Sequence, residues 1–536
     1  MIGILHGYLL EGSGSNIWTR NICEALARAG IPAALICQER HPERYPFIET
    51  STVHGATGKS VEARKDTPYP GKIALHRPEI GKTLPVFVRD KYEGFDKVTP
   101  IIELSDKRLE AYVERHVEVL SSLVKRHGIT TLLANHAVLM PTVAQRVHKK
   151  TGIAYSVVPH GSAIEYAVRL DGRLHAMAAA ALTHATHVFC VSEEMKTRLQ
   201  QLFASVPKLS GKFRPISVGV DTRLFKLVPE NERQSAKSAL GKLFKELPAG
   251  KTRQQRELSD SLSDDSSYEN YTTIVKKAGQ YSVKGVDTDA SSAIQDIPSG
   301  PTLLFVGRLI AAKGPQCLFW ALPHLFNVVP ELRIVIAGQG PLREPLECYL
   351  SALQRGEQSL AENILHWGVP GEPANPYFKA SRDFLDKMSE ADRTKYFTLG
   401  RKIPQDRVTF TGLLGHRELA ALYPLCDVAV FPSLVPEAGP MVFLEAMASG
   451  CFPMGTNIAG IRNKIDLMQT EIPPALATLA RLDPDNLVGD LTTKLPPLLR
   501  SAPPHKEALR RIAVRNFDWM QIATSLSTIL TPDTNS

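Results

Sequence analysis

The sequence predicts an α/β protein made of two doubly wound, Rossmann-like parallel-sheet domains. Three observations predict it. Short apolar runs alternate with helical periods through both halves of the chain, which is the pattern of βαβ units. Glycine turns follow several of those runs, at 12–14, 307–314 and 338–340, where a strand must turn tightly into a helix. A Ser/Asp-rich, apolar-poor stretch within 229–300 divides the halves.

At 536 residues the chain has room for two or three domains. Its hydrophobic content of 43% and charged content of 22% are those of a globular protein. No run reaches the roughly 18 to 20 uninterrupted apolar residues of a membrane span. The start, MIGILHGYLLEGSGSN, has no basic leader and reads as a strand and loop, not a signal peptide. Seven scattered cysteines without CxxC spacing point to a reducing cytoplasm and away from a disulfide framework or zinc site. The net charge of +8 suits phosphate ligands, nucleic acid or an anionic membrane surface, and selects none of them.

In the first half, a strand over 2–10 leads into Glu11-Gly12-Ser13-Gly14-Ser15-Asn16 and an amphipathic helix over 17–29. Free N–H groups at such a helix start, with its dipole, make a phosphate seat; a plain tight turn explains the same residues. A second strand follows at 33–37, and the Pro-, Gly- and charge-rich 40–100 reads as an elaborated loop region. Beyond it come a helix over 104–127, a strand over 130–135 that delivers Asn135 and His136 to the sheet edge, and a helix over 141–150. A strand over 155–158 ends in Pro159-His160-Gly161, and two more cover 187–191 and 214–218, with Ser192 capping a helix over 193–202. His160 is either a structural hydrogen-bonder or a donor to a ligand lying over that edge, and His136 reads the same way.

Residues 229–300 read as a polar linker or insertion with one exposed helix near its start, and the Asp287-Thr288-Asp289 triplet as solvated. In the second half, a strand over 302–306 leads into Gly307-Arg308-Leu309-Ile310-Ala311-Ala312-Lys313-Gly314 and a helix opened by Pro315. A guanidinium at a strand end and an ammonium at a helix start suit phosphate oxygens, although two solvated cations would look alike. A strand over 332–337 ends in Gly338-Gln339-Gly340-Pro341, a second insertion covers about 355–400, and strands over 408–411 and 427–431 precede helices from His416 and Pro440. The domains are therefore 1–228 and 301–505, with a final helix in 506–536. They leave a cleft between their C-terminal strand edges, which both sets of residues would line.

The loop and helix after the last of these strands hold two acids, Glu437 and Glu445. Pro440 suits the first helical position and Gly450 the C-terminal cap. On a helical wheel Glu445 falls among Met441, Val442, Leu444 and Ala448, facing the core. A carboxylate there needs hydrogen-bond donors, supplied by backbone and arginine or by the hydroxyls of a ligand at the strand edge.

Together these residues resemble the retaining GT-B glycosyltransferases of family 4 (glycosyl transferases group 1). The resemblance is carried in order by Gly12-Ser13-Gly14, His160-Gly161, VSEEM at 191–195, ISVGVDTRLF at 216–225, VGRLIAAKG at 306–314, AGQGP at 337–341 and PEAGPMVFLEAMASG at 436–450. It covers 1–228 and 301–465. It implies a GT-B fold whose domains face a central cleft, with an acceptor-side first domain and a second domain that holds a nucleoside-diphosphate sugar. It implies catalytic roles for Glu437, His160, Arg308 and Lys313. Donor binding would fall to Gly12, Gly14, Arg308, Lys313, Gly439, Pro440, Met441, Val442 and Glu445, and sugar or acceptor contacts to Asn135 and His136. It further implies a hexosyltransferase of carbohydrate biosynthesis that retains anomeric configuration without a metal or other cofactor, and a last helix that crosses back to the first domain. The enzyme would be cytoplasmic, with no nucleic-acid partner; the +8 charge and basic segments such as 208–214 permit peripheral contact with the inner face of an anionic membrane, without an amphipathic helix that would claim it. The acceptor, whether glycan, lipid-linked sugar or small molecule, is not specified. Pro440 departs from the glycine common at its position. The readings beside this one are a GT-B sugar-nucleotide hydrolase or epimerase, and a non-catalytic nucleotide-sugar-binding protein.

Overall fold

The computed structural model describes residues 1–87, 95, 97–295, 300–371, 379–437 and 439–531. Parts of the predicted segments 40–100, 229–300, 355–400 and 506–536, and Ala438 in the acid-bearing loop, lie outside the described residues. The chain divides into two units: Met1–Gly219 with Asn516–Ser536, and Val220–Arg515.

The first unit is built on a nine-stranded sheet. Its strands are β1 (Ile2–Leu5), β2 (Ala33–Ile36), β3 (Ile48–His54), β4 (Ser60–Arg64), β5 (Ile73–Pro78), β8 (Thr131–Asn135), β9 (Ala154–Val158), β10 (Val188–Cys190) and β11 (Phe213–Pro215), while β6 (Thr83–Val86) and β7 (Lys97–Pro100) form a separate parallel pair. The order is β11-β10-β9-β8-β1-β2-β5-β3-β4, parallel throughout except for the antiparallel pair β3–β4. The strands nearest β1 are fully buried, which explains their uniform apolar runs. Helices Asp106–His127 and Met140–Thr151 pack on one another beside them.

The reading of 40–100 as loop is corrected here, since it supplies five strands. Their signal was masked because β4 is exposed along its length and β3 largely half-buried, so no long apolar run marks them. Trp519–Leu530 forms the last helix, which packs on Gly14–Arg28 within this unit.

The second unit carries a six-stranded, wholly parallel sheet: β12 (Thr302–Val306), β13 (Arg333–Ala337), β14 (Val408–Gly412), β15 (Val428–Phe431), β16 (Phe452–Thr456) and β17 (Arg481–Leu482). The order β14-β13-β12-β15-β16-β17 is the 3-2-1-4-5-6 winding of a Rossmann sheet, whose direction of growth reverses between its first and fourth strands. In the first unit the same reversal lies between β1 and β8.

The polar stretch 229–300 is also corrected. It forms helices Arg233–Glu246, Arg253–Glu257, Tyr268–Ala278 and Ala290–Gln295, all inside the second unit. Val286 bridges both Ala249 and Gly412 at the edge of β14. Asp287, read as solvated, is 2% exposed. The second insertion folds as Gln358–Trp367, Lys379–Asp386 and Glu390–Gly400.

Candidate functional site

The reversal point of the second sheet falls between β12 and β15, and open α/β sheets bind ligands beyond the C-terminal ends of such strands. Gly314, at φ +69°, closes the turn after β12; a Cβ there would lie 1.9 Å from the carbonyl oxygen of Pro432 beyond β15. Only glycine permits so close an approach. The two loops are then joined by the Leu434 N–H to the Ala312 carbonyl at 2.9 Å and the Ser433 hydroxyl to the same oxygen at 3.2 Å. This brings Lys313 into an ion pair with Glu437. The Glu437 carbonyl accepts from the Gly460 N–H at 2.9 Å, and Lys464, 5% exposed, donates to the Gly460 carbonyl at 3.3 Å. Burial lowers the Lys464 ammonium to about 8, and Glu437 opposes that shift.

Arg308 stands exposed on the same turn and makes no ion pair among the described residues. Behind it, Gly338 and Gly340 approach so closely that Cβ atoms would lie 1.9 and 2.5 Å from the carbonyl oxygens of Gly307 and Leu309.

The helix Met441–Ala448 begins one residue later than predicted, because Pro440 takes the N-cap position with φ −69° and ψ 107°. Gly439, Met441 and Val442 are half-buried around this start, and the Val442 carbonyl accepts from the Tyr423 hydroxyl at 3.1 Å. Glu445 faces inward at 4% exposure. His416 Nε2 lies 3.5 Å from its Oε1, while its Oε2 is buried without a hydrogen-bond partner. Burial raises this carboxyl to about 8, against a smaller opposing effect of Tyr423.

Folding therefore holds a proton on Glu445 that the unfolded chain releases near pH 4.5. Its stability contribution is present below the unfolded pKa and is lost as pH rises toward the folded one. Glu445→Gln cannot release that proton. The variant is expected to come close to wild type near pH 5 and to exceed it by several kcal/mol near pH 8, on the order of 1.4 kcal/mol for each unit by which the folded pKa lies above the unfolded one. Thermal midpoints across that range check this; a constant gap would refute it.

In the first unit the reversal point carries a second cluster. His6 follows β1, and Asn135 and His136 close β8. His6 Nε2 is 3.0 Å from Asn16 Oδ1 and its Nδ1 is 3.1 Å from the Thr19 hydroxyl. Asn135 donates to the Leu5 carbonyl at 3.3 Å, and its Oδ1 is 2.9 Å from His160 Nε2. His136 adopts φ +72°, a left-handed conformation uncommon outside glycine. Both of its ring nitrogens are buried without partners among the rings of His6, Tyr8, Phe87 and His160. Burial holds His6 near 4, His160 near 3 and His136 well below its ordinary value, so all three are neutral at pH 7. Gly12, at φ +99°, has open space where a Cβ would stand. Ser13 caps the helix that begins at Gly14, accepting from the Asn16 N–H.

The structure thus brings Arg308, Lys313, Glu437, Gly439, Pro440, Met441, Val442 and Glu445 to one edge of the second sheet. Asn135, His136 and His160 meet at one edge of the first, with Gly12 and Gly14 on the loop after β1. Sequence reasoning missed His6, Lys464 and His416. His6 alone had a legible signal, a histidine beside the glycine turn. The basic segment 208–214 is partly turned inward: Lys212 donates to the carbonyls of Leu182 and Thr183. All seven cysteines are buried and free. Among the described residues no helix is long and apolar enough to cross a membrane.

Residues 388–488 match the sequence profile of the family described as Glycosyl transferases group 1. Two glycogen synthases of Mycobacterium tuberculosis are 25% identical over 232 residues, which is 43% of this chain and 42% of theirs, so the match spans less than half the length of these relatives. Among solved structures, a glycosyltransferase from Rickettsia africae is 13% identical, with 100% of this chain and 99% of that one covered at a TM-score of 0.52. Sucrose-phosphate synthase from Thermosynechococcus elongatus is 16% identical, with 98% and 97% covered at 0.51. Anabaena HepE in complex with UDP and glucose is 13% identical, with 99% and 98% covered at 0.50. With its parallel sheets wound in Rossmann fashion, the chain has the two-domain Rossmann-like GT-B fold of these glycosyltransferase structures.

Proposed function

We propose that the protein is a retaining GT-B glycosyltransferase that moves a sugar from a nucleoside-diphosphate sugar to a hydroxyl acceptor. The observation that carries this reading is the pairing of Lys313 with Glu437 at the reversal point of the second sheet, beside exposed Arg308. Two cations of that kind match a diphosphate leaving group, and charge aimed at where it builds in the transition state lowers the barrier. A metal is not required for that electrostatic role. Glu445 is read as the group that meets ribose hydroxyls: its buried Oε2 lacks a partner, and a neutral carboxyl both donates and accepts. Glu437 is read as the acceptor of donor-sugar hydroxyls, released from Lys313 when phosphate arrives. Gly12 and Gly14, with the His160 and Asn135 pair, are read as serving the sugar and acceptor.

UDP conjugates are the first donors to try, because HepE is in complex with UDP and glucose. The test is a thermal-shift screen against UDP, GDP, ADP and their sugar conjugates, since a ligand that binds only the folded state stabilises it, by about 2.7 kcal/mol at 100 times its Kd, and so raises the midpoint. One nucleotide series is expected to shift the midpoint. No shift with any of them would overturn the reading. Nucleotide released without any acceptor would instead favour a hydrolase.

A further inference from the structure

The insertion that composition reads as solvated ends, through a buried ionic network, on the turn that carries Arg308. The Lys251 and Arg343 side chains have no exposed surface. Lys251 pairs with Glu344 at 3.1 Å and with Glu347, while Arg343 pairs with Asp287 and with Glu347 at 3.2 Å. Tyr281 lies over both cations, with its ring centroid 5.4 Å from Lys251 Nζ and 5.1 Å from Arg343 Cζ. Its hydroxyl stands 3.0 Å from Glu344 Oε1 and 2.9 Å from Gln339 Oε1.

A phenol has one proton, and the carboxylate is the stronger acceptor. Gln339 Nε2 is buried without a partner. Turning the amide so that Nε2 donates to Tyr281, while Tyr281 donates to Glu344, gives the phenol both a donor and an acceptor in one chain of bonds. The backbone of Gln339 is in turn tied to the Arg308 turn. Its carbonyl accepts from the Leu309 N–H at 2.9 Å, and the Leu309 carbonyl accepts from the Leu342 N–H at 2.9 Å. The flanking Gly338 and Gly340 leave no slack against Gly307 and Leu309. The insertion also braces the next strand, with the Asp287 N–H on the Thr411 carbonyl at 3.0 Å and the Leu413 N–H on the Gly285 carbonyl at 3.3 Å.

We propose that Tyr281 is a positioning residue for Arg308: the insertion locks the Gln339 turn through Tyr281, and that turn fixes the guanidinium where a diphosphate binds. This rests on the reading of Arg308 as a diphosphate ligand. Tyr281→Phe removes only the hydroxyl and keeps the ring on both cations, so its thermal midpoint is expected to stay within a degree or two of wild type. Calorimetric titration with UDP, with uridine as the phosphate-free probe, is made in wild type, Tyr281→Phe, Arg308→Ala and the double variant. The expected result is a roughly 5- to 10-fold loss of UDP affinity in Tyr281→Phe, no change for uridine, and no further loss when Arg308 is already alanine, because coupled residues are non-additive. Unchanged UDP affinity, an equal loss for uridine, or the same loss in the Arg308→Ala background would each overturn the proposal and leave the donor-site reading intact. Wild-type protein that binds none of UDP, GDP and ADP would overturn both; where GDP or ADP binds in place of UDP, the same titrations are read with that nucleotide and its nucleoside.

Discussion

Lys313→Ala is expected to weaken nucleoside-diphosphate binding roughly 10- to 100-fold, the 1.5–3 kcal/mol of a hydrogen bond to a charged group. The fold should survive the change. Lys313 keeps 32% of its side-chain surface exposed, and the turn around it is held by Gly314, Ser433 and Leu434 through contacts to backbone carbonyls that alanine leaves untouched. Glu437 keeps the attraction of buried Lys464 after Lys313 is removed. Calorimetry with UDP and a melting curve check this together. Lost affinity at an unchanged midpoint assigns Lys313 to the ligand; a fallen midpoint would make it a structural cation.

Arg343→Met is expected to be the most damaging single change in stability, at about 3–5 kcal/mol. It strips the buried guanidinium from Asp287 and Glu347, whose side chains are 0% and 7% exposed, leaving Asp287 only Arg256 at 3.7 Å and Glu347 only Lys251, and removing one partner from a buried ionic pair is far costlier than an absent pair. For a unit of this size that is a midpoint drop on the order of 10 °C. Arg253→Met gives the contrast: its pair with Glu257 is 78% and 50% exposed, so its loss should stay within about 0.5 kcal/mol. Replacing Asp287 and Arg343 together by apolar residues should recover part of the loss, as buried pairs exchanged whole often do. Equal effects of the buried and surface changes would refute this account of the insertion.

The two sheets were legible because their central strands are buried on both faces and read as unbroken apolar runs, and because glycine turns mark their C-terminal ends. Glu445 was legible for a related reason, an acid on the apolar arc of a short helix. What escaped was whatever owes its burial to charge. The Asp287-Thr288-Asp289 triplet sits in a Ser- and Asp-rich context that composition assigns to solvent, yet Asp287 is paired with Arg343 and, at 3.7 Å, with Arg256, both far away in the sequence. No local pattern encodes that pairing. Strands β3 and β4 were missed because an elaboration at the edge of a sheet needs little apolar content, and β5 to β7 because their short buried runs are broken by proline and charge. Pro440 moved by one position because its ψ of 107° places it before the helix and not within it.

The first unit is closed by a helix that the chain reaches only after the second unit has been written. Gly219 has room for nothing larger beneath Trp519, whose ring would lie 2.5 Å from an added Cβ, and the helix Trp519–Leu530 lies on Gly14–Arg28. On a ribosome adding roughly 5–20 residues per second, the first unit waits on the order of a quarter of a minute or more for its final layer. Its face on the opening helix is bare throughout that interval. Order of synthesis and order of completion therefore differ: the unit begun first is finished last.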